Sequence, residues 1–104
     1  DSVMSDGSTP LLRASQAGHL SVVAYLCNAG ADKDHEDRLG WTPLLLATHG
    51  GQLEVVRFLC AAGADKEKAF RDGSTPLMMA AATNQLEVLE YLWRDGANKD
   101  AQRW

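Results

Sequence analysis

The chain has 104 residues, 45% of them hydrophobic, which is the length of one domain and the composition of an ordinary soluble protein. Ten basic and fourteen acidic residues give a net charge of -4, spread along the chain, which argues against a nucleic acid or an anionic membrane as the main partner. No apolar run approaches the ~20 residues that cross a bilayer, and Asp1-Ser2-Val3-Met4-Ser5-Asp6 has neither the basic nor the apolar region of a signal peptide, so a soluble intracellular, cytoplasmic chain is expected.

In chain order, the first predicted element starts at Thr9, a good N-cap, with Pro10 at the first helical position, where its missing N–H has no partner to lose. This helix runs through Leu11, Leu12 and Ala14 and stops at Gly18, since glycine tolerates positive φ just past a helix end. A second helix carries Leu20, Val23, Leu26 and Cys27 on one face and ends at Gly30. The polar stretch from Ala31 to Gly40 has Asp and Gly where a turn or hairpin wants them. The pattern then restarts twice. Thr9-Pro10-Leu11 recurs as Thr42-Pro43-Leu44 and Thr75-Pro76-Leu77, at constant spacing. The same register holds for Ala14/Ala47/Ala80, Val22/Val55/Val88, Leu26/Leu59/Leu92 and Lys33/Lys66/Lys99, with no insertion. A fixed period of this size signals a solenoid, whose short helices are marginal alone and draw their stability from stacking.

A helix-turn-helix plus hairpin in a unit of about 33 residues, with T-P-L on the first helix, Gly18-His19-Leu20 between helices and Gly30-Ala31-Asp32 and Gly63-Ala64-Asp65 after the second, resembles the ankyrin repeat. The resemblance covers about Gly7 to Gln102 and implies an all-α solenoid of stacked helix-turn-helix units with β-hairpin or loop fingers. One repeat domain over 1–104 is expected, with repeats at about 7–39, 40–72 and 73–104. The residue after T-P-L, usually His in the family, is Leu12, Leu45 or Met78 here, and the inter-helix motif continues as Gly51-Gln52-Leu53 and Asn84-Gln85-Leu86. Arg13 stands where later repeats have Leu46 and Met79, which suits a face covered on one side only, as in a terminal capping repeat. At the other end, either the array is cut at Trp104 or Trp93 and Trp104 seal it.

In arrays of this kind the partner is usually met by the finger tips and the exposed side of the first helix, and those columns vary most. The candidate partner-binding residues are Ser8, Gln16, Glu36, Arg38, Leu39, Trp41, His49, Phe70, Arg71, Asp72, Ser74 and Thr83. Trp41 is the sharpest, an aromatic at a rim position where the flanking repeats carry Ser8 and Ser74, with the composition of a binding hot spot. Its competing reading is packing on a neighbouring hairpin. The function expected is a non-catalytic module that binds another protein; the alternative is a structural spacer or self-assembling segment that associates through its end faces.

Other constellations favour scaffold roles. Tyr25, Phe58 and Tyr91 form an aromatic column read as core or inter-repeat packing. Each lysine of the 33/66/99 ladder is followed by Asp34, Glu67 or Asp100, so a self-neutralised edge is expected. Cys27 and Cys60 share one column of neighbouring helices, which pack ~8–10 Å apart, beyond the ~7 Å reach of a disulfide, so free thiols are expected. Asp34-His35-Glu36-Asp37 has metal-ligand residue types, but adjacent side chains alternate in direction and no second ligand cluster follows. No metal, cofactor or catalytic motif is implied.

Overall fold

In a computed structural model of the chain, which describes residues 9–95, each T-P-L motif starts a helix. The order is α1 (Pro10–Ala17), α2 (Leu20–Asn28), α3 (Pro43–His49), α4 (Leu53–Ala61), α5 (Pro76–Ala82) and α6 (Leu86–Arg94). The three first helices begin identically, because each threonine accepts one of the backbone N–H groups that a helix start leaves without a partner. Thr9 Oγ1 accepts from Leu12 N at 3.3 Å, Thr42 Oγ1 from Leu45 N at 3.1 Å and Thr75 Oγ1 from Met78 N at 3.3 Å. Gly18 ends α1 in the left-handed conformation expected of it.

The helices pair in antiparallel fashion within repeats and stack in two rows, α1–α3–α5 and α2–α4–α6. The core lies between the rows, built from Leu11, Leu44 and Leu77 of the first helices and Val23, Val56, Leu59 and Leu92 of the second, all essentially inaccessible. Leu12 and Leu45, in the family's histidine column, are also fully buried, so apolar contact replaces the hydrogen bond that histidine would make.

Of three expectations, one left a choice open and two need correction. No strand forms among the described residues, so the fingers, expected as hairpins or loops, are loops. The reason is local: Asp37 Oδ1 accepts from both Leu39 N (2.9 Å) and Trp41 N (3.0 Å), and Asp72 Oδ1 from Ser74 N (2.9 Å), so side chains take amides that a ladder would pair. Second, the aromatic column is not uniformly packed. Phe58 and Tyr91 lean on the core, with Arg57 5.8 Å over the Tyr91 ring, whereas Tyr25 is 72% exposed. Each packed ring lies against the repeat before it, and among the described residues no repeat precedes Tyr25. Third, Lys66 is neutralised across the stack, by Asp95 at 2.7 Å. Lys99 lies outside the described residues, as does Trp104.

Two hydroxyls are anomalous. Ser15 Oγ and Thr48 Oγ1 are buried without a hydrogen-bond partner, in the column where the third repeat has Ala81. A buried polar group left unpaired costs about 1–3 kcal/mol. Thr48→Val, which keeps the shape and removes the hydroxyl, is therefore expected to raise the unfolding free energy by about 1 kcal/mol in urea titration. A midpoint that falls instead means that the hydroxyl has a partner.

Candidate functional site

The most distinctive surface is built by two fingers and one helix end. The first finger closes on itself: Asp37 N donates to Trp41 O at 3.0 Å and Gly40 N to Asp37 O at 3.1 Å, while the Asp37 carboxylate holds the amides of Leu39 and Trp41. The second finger closes one register on, through Phe70 N to Ser74 O and Gly73 N to Phe70 O, both 2.9 Å. Here Asp72 holds the Ser74 amide, and the Ser74 backbone and side chain keep the Asp72 carboxyl below its usual range.

These turns bring three rings together. Trp41 lies with its ring centre 4.6 Å from Phe70 and 5.2 Å from His49, the latter edge-to-face at 75°, both within the range of favourable aromatic pairs. Trp41 and Phe70 are half-buried and His49, the last residue of α3, is exposed. Trp41 is thus packed on the neighbouring finger and as a residue remains partly accessible. Around it Leu39 is 60% exposed, and Arg38 and Arg71 are exposed. Arg71 lays its stem against Gly40: a Cβ there would stand 3.0 Å from Arg71 Cγ.

The other candidates are placed differently. Glu36 stands 4.0 Å from Lys68 Nζ, and Lys68 also donates to Asp34 O at 2.8 Å, so this carboxylate belongs to a finger-to-finger tie. Thr83 turns its hydroxyl back to Met79 O at 2.8 Å. Gln16 is exposed at the end of α1. Ser8 lies outside the described residues.

The residues that hold one repeat on the next were not singled out from sequence. Gln52 Nε2 donates to Gln16 O at 3.3 Å and Gln85 Nε2 to His49 O at 3.4 Å, each reaching the helix end of the preceding repeat. Asp34 Oδ1 accepts from Asp65 N at 2.8 Å and ties the fingers together at their bases. The recurrence of glutamine at one position of the repeat was the available signal.

Cys27 and Cys60 are free thiols. Burial pushes the Cys60 thiol up to about 11, with the Asp95 carboxylate adding to the effect and Lys66 opposing it. Burial likewise raises Cys27, with Lys33 opposing. Neither has the depressed value of a nucleophile. Among the described residues no group of three or more His, Cys, Asp or Glu is arranged to hold a metal ion, and no helix is long and apolar enough to cross a membrane.

Comparison with known proteins agrees with this architecture. The family description "Ankyrin repeats (3 copies)" matches residues 30–103, and "Ankyrin repeat" matches residues 6–38. No curated protein sequence matches the chain. Ankyrin repeats are generally protein-interaction modules and are typically non-catalytic. With helix pairs recurring in one constant register and family matches running from residue 6 to residue 103, the chain belongs to the ankyrin repeat family.

Proposed function

We propose that the chain is a non-catalytic module that binds another protein across its fingers and first-helix ends, with Trp41 at the centre of the contact. The observation that carries this reading is the Trp41–Phe70–His49 cluster with Leu39, Arg38 and Arg71 exposed around it. Tryptophan and arginine dominate interface hot spots, and a ring already held by its neighbours loses little freedom on binding. Trp41 and Phe70 occupy columns that the scaffold does not dictate: the first is serine in both flanking repeats, and the second is Asp37 in the first repeat. A protein partner also fits the net charge of -4, which disfavours nucleic acid. The two free thiols fit a reducing, intracellular compartment.

The test is a peptide-display selection against the whole chain, followed by affinity measurement on the selected peptides with two variants. Trp41→Ala is expected to weaken binding at least tenfold, equivalent to about 1.4 kcal/mol, and to lower stability by about 1 kcal/mol through its lost ring contacts. Leu39→Ser touches an exposed side chain and is expected to weaken binding several-fold with an unchanged melting temperature. Selected peptides that bind both variants as tightly as the parent would overturn the reading.

A further inference from the structure

The two fingers close their turns with one device set at different places. In each, an aspartate carboxylate accepts the amide two residues on, Asp37 Oδ1 from Leu39 N and Asp72 Oδ1 from Ser74 N, both at 2.9 Å, so that the side chain stands in for a turn carbonyl. Each finger also holds a glycine at positive φ, Gly40 at 97° and Gly73 at 89°, a conformation that glycine adopts without steric cost. In the first finger Arg38 and Leu39 separate the carboxylate from the glycine. In the second the two are adjacent, as Asp72-Gly73.

Adjacency opens a reaction. The amide nitrogen that follows an aspartate can close a five-membered ring on the side-chain carboxyl carbon, and a glycine at that next position carries no side chain to hinder it. Gly73 N attacks Asp72 Cγ, the new C–N bond forms, and the amide proton leaves with the carboxyl OH as water, giving a succinimide. Water then adds to the main-chain carbonyl carbon of Asp72 and breaks its bond to Gly73 N, so the chain runs through Cγ as isoaspartate. The water released is the water consumed, and no oxidant or reductant takes part.

The folded turn withholds both reacting groups. Gly73 N donates to Phe70 O at 2.9 Å, and Asp72 Oδ1 is occupied by the Ser74 amide. Ring closure expels water from a neutral carboxyl, whereas the backbone and side chain of Ser74 hold the Asp72 carboxyl below its usual range and so keep it ionised. Burial has no part in this, since Asp72 and Gly73 are exposed. The hydrogen bonds of the turn are what hold the pair unreactive.

We propose that Asp72-Gly73 is a site of spontaneous isoaspartate formation whose rate is set by opening of the second finger and by the contacts of Ser74 with the Asp72 carboxylate. Isoaspartate lengthens the backbone by one carbon inside the segment closed by Phe70 N to Ser74 O and Gly73 N to Phe70 O. That closure breaks, and Phe70 loses its place 4.6 Å from the Trp41 ring. Loss of partner binding as a consequence rests on the function proposed above; the modification itself does not.

The test is incubation of the full chain at physiological temperature and mildly acidic pH, followed by proteolysis and electron-transfer mass spectrometry, which tells the two linkages apart at each site. Site resolution is needed because Asp6-Gly7 and Asp95-Gly96 repeat the dipeptide. A synthetic peptide of residues 68–78 supplies the rate without a folded turn. Isoaspartate at Asp72 is expected to form at least about tenfold more slowly in the chain than in the peptide, equivalent to an opening cost of about 1.4 kcal/mol. Ser74→Ala, which removes the hydroxyl that bonds the carboxylate, is expected to react several-fold faster than the parent with an unchanged far-UV circular dichroism spectrum. A chain that rearranges as fast as the peptide, a Ser74→Ala variant no faster than its parent, or a peptide that forms no isoaspartate at Asp72 would each overturn the proposal.

Discussion

Leu59→Ala is expected to remove about 3 kcal/mol of stability and to lower the melting temperature by roughly 12–24 °C. Leu59 is inaccessible to solvent and lies in the core cluster on α4, which packs against both α2 and α6. Removing three carbons there loses their transfer free energy and opens a void that the two neighbouring helices, held by their own repeats, cannot fully close. The middle position amplifies the effect, because stability in a stacked array is the sum of repeat and interface contributions and this residue takes part in two interfaces. Since small domains are stable by only ~5–15 kcal/mol, the loss is a large share of the total. Leu86→Ala is the matched control: Leu86 is 62% exposed at the start of α6, and its truncation should cost no more than about 0.5 kcal/mol. Urea unfolding followed by circular dichroism measures both. Equal effects at the two positions would show that the core does not lie between the helix rows.

Gly51→Ala is expected to cost about 2–3 kcal/mol, from two separable causes. Gly51 has φ +71°, where an L-residue loses about 1–2 kcal/mol. In addition, an added Cβ would stand 2.5 Å from Gln85 Oε1, so the amide must leave the place from which it donates to His49 O, a bond contributing about 0.5–1.5 kcal/mol. Asn84, in the same column one repeat on, adopts φ 60°; asparagine tolerates this conformation better than most residues, and among the described residues no further glutamine of that column lies over it. A double-mutant cycle separates the causes. In the Gln85→Ala background the cost of Gly51→Ala should shrink to the backbone part, a coupling of about 1 kcal/mol. A coupling of zero would mean that the amide does not rest on the glycine.

Most of the scaffold is legible in the amino-acid sequence because its determinants are local. The threonine caps, the prolines at the first helical turn, Gly18 past the end of α1 and the apolar columns each act through near neighbours in the chain, and their recurrence at constant spacing states how the units stack. The determinants of the finger surface are not local. Nothing in the spacing of Trp41, His49 and Phe70 says that their rings meet within 4.6–5.2 Å, because that depends on how the second finger lies over Gly40 and on where α3 ends. The same holds for Lys66, whose charge is matched by the carboxylate of Asp95 at the end of α6 in the next repeat, and for Tyr25, which shares a column with two packed rings yet has no described repeat beneath it. Sequence alone settles which residues can form the repeat, since capping and helical periodicity are short-range; only the tertiary structure decides which of them are covered, because burial depends on the neighbour that arrives from another repeat.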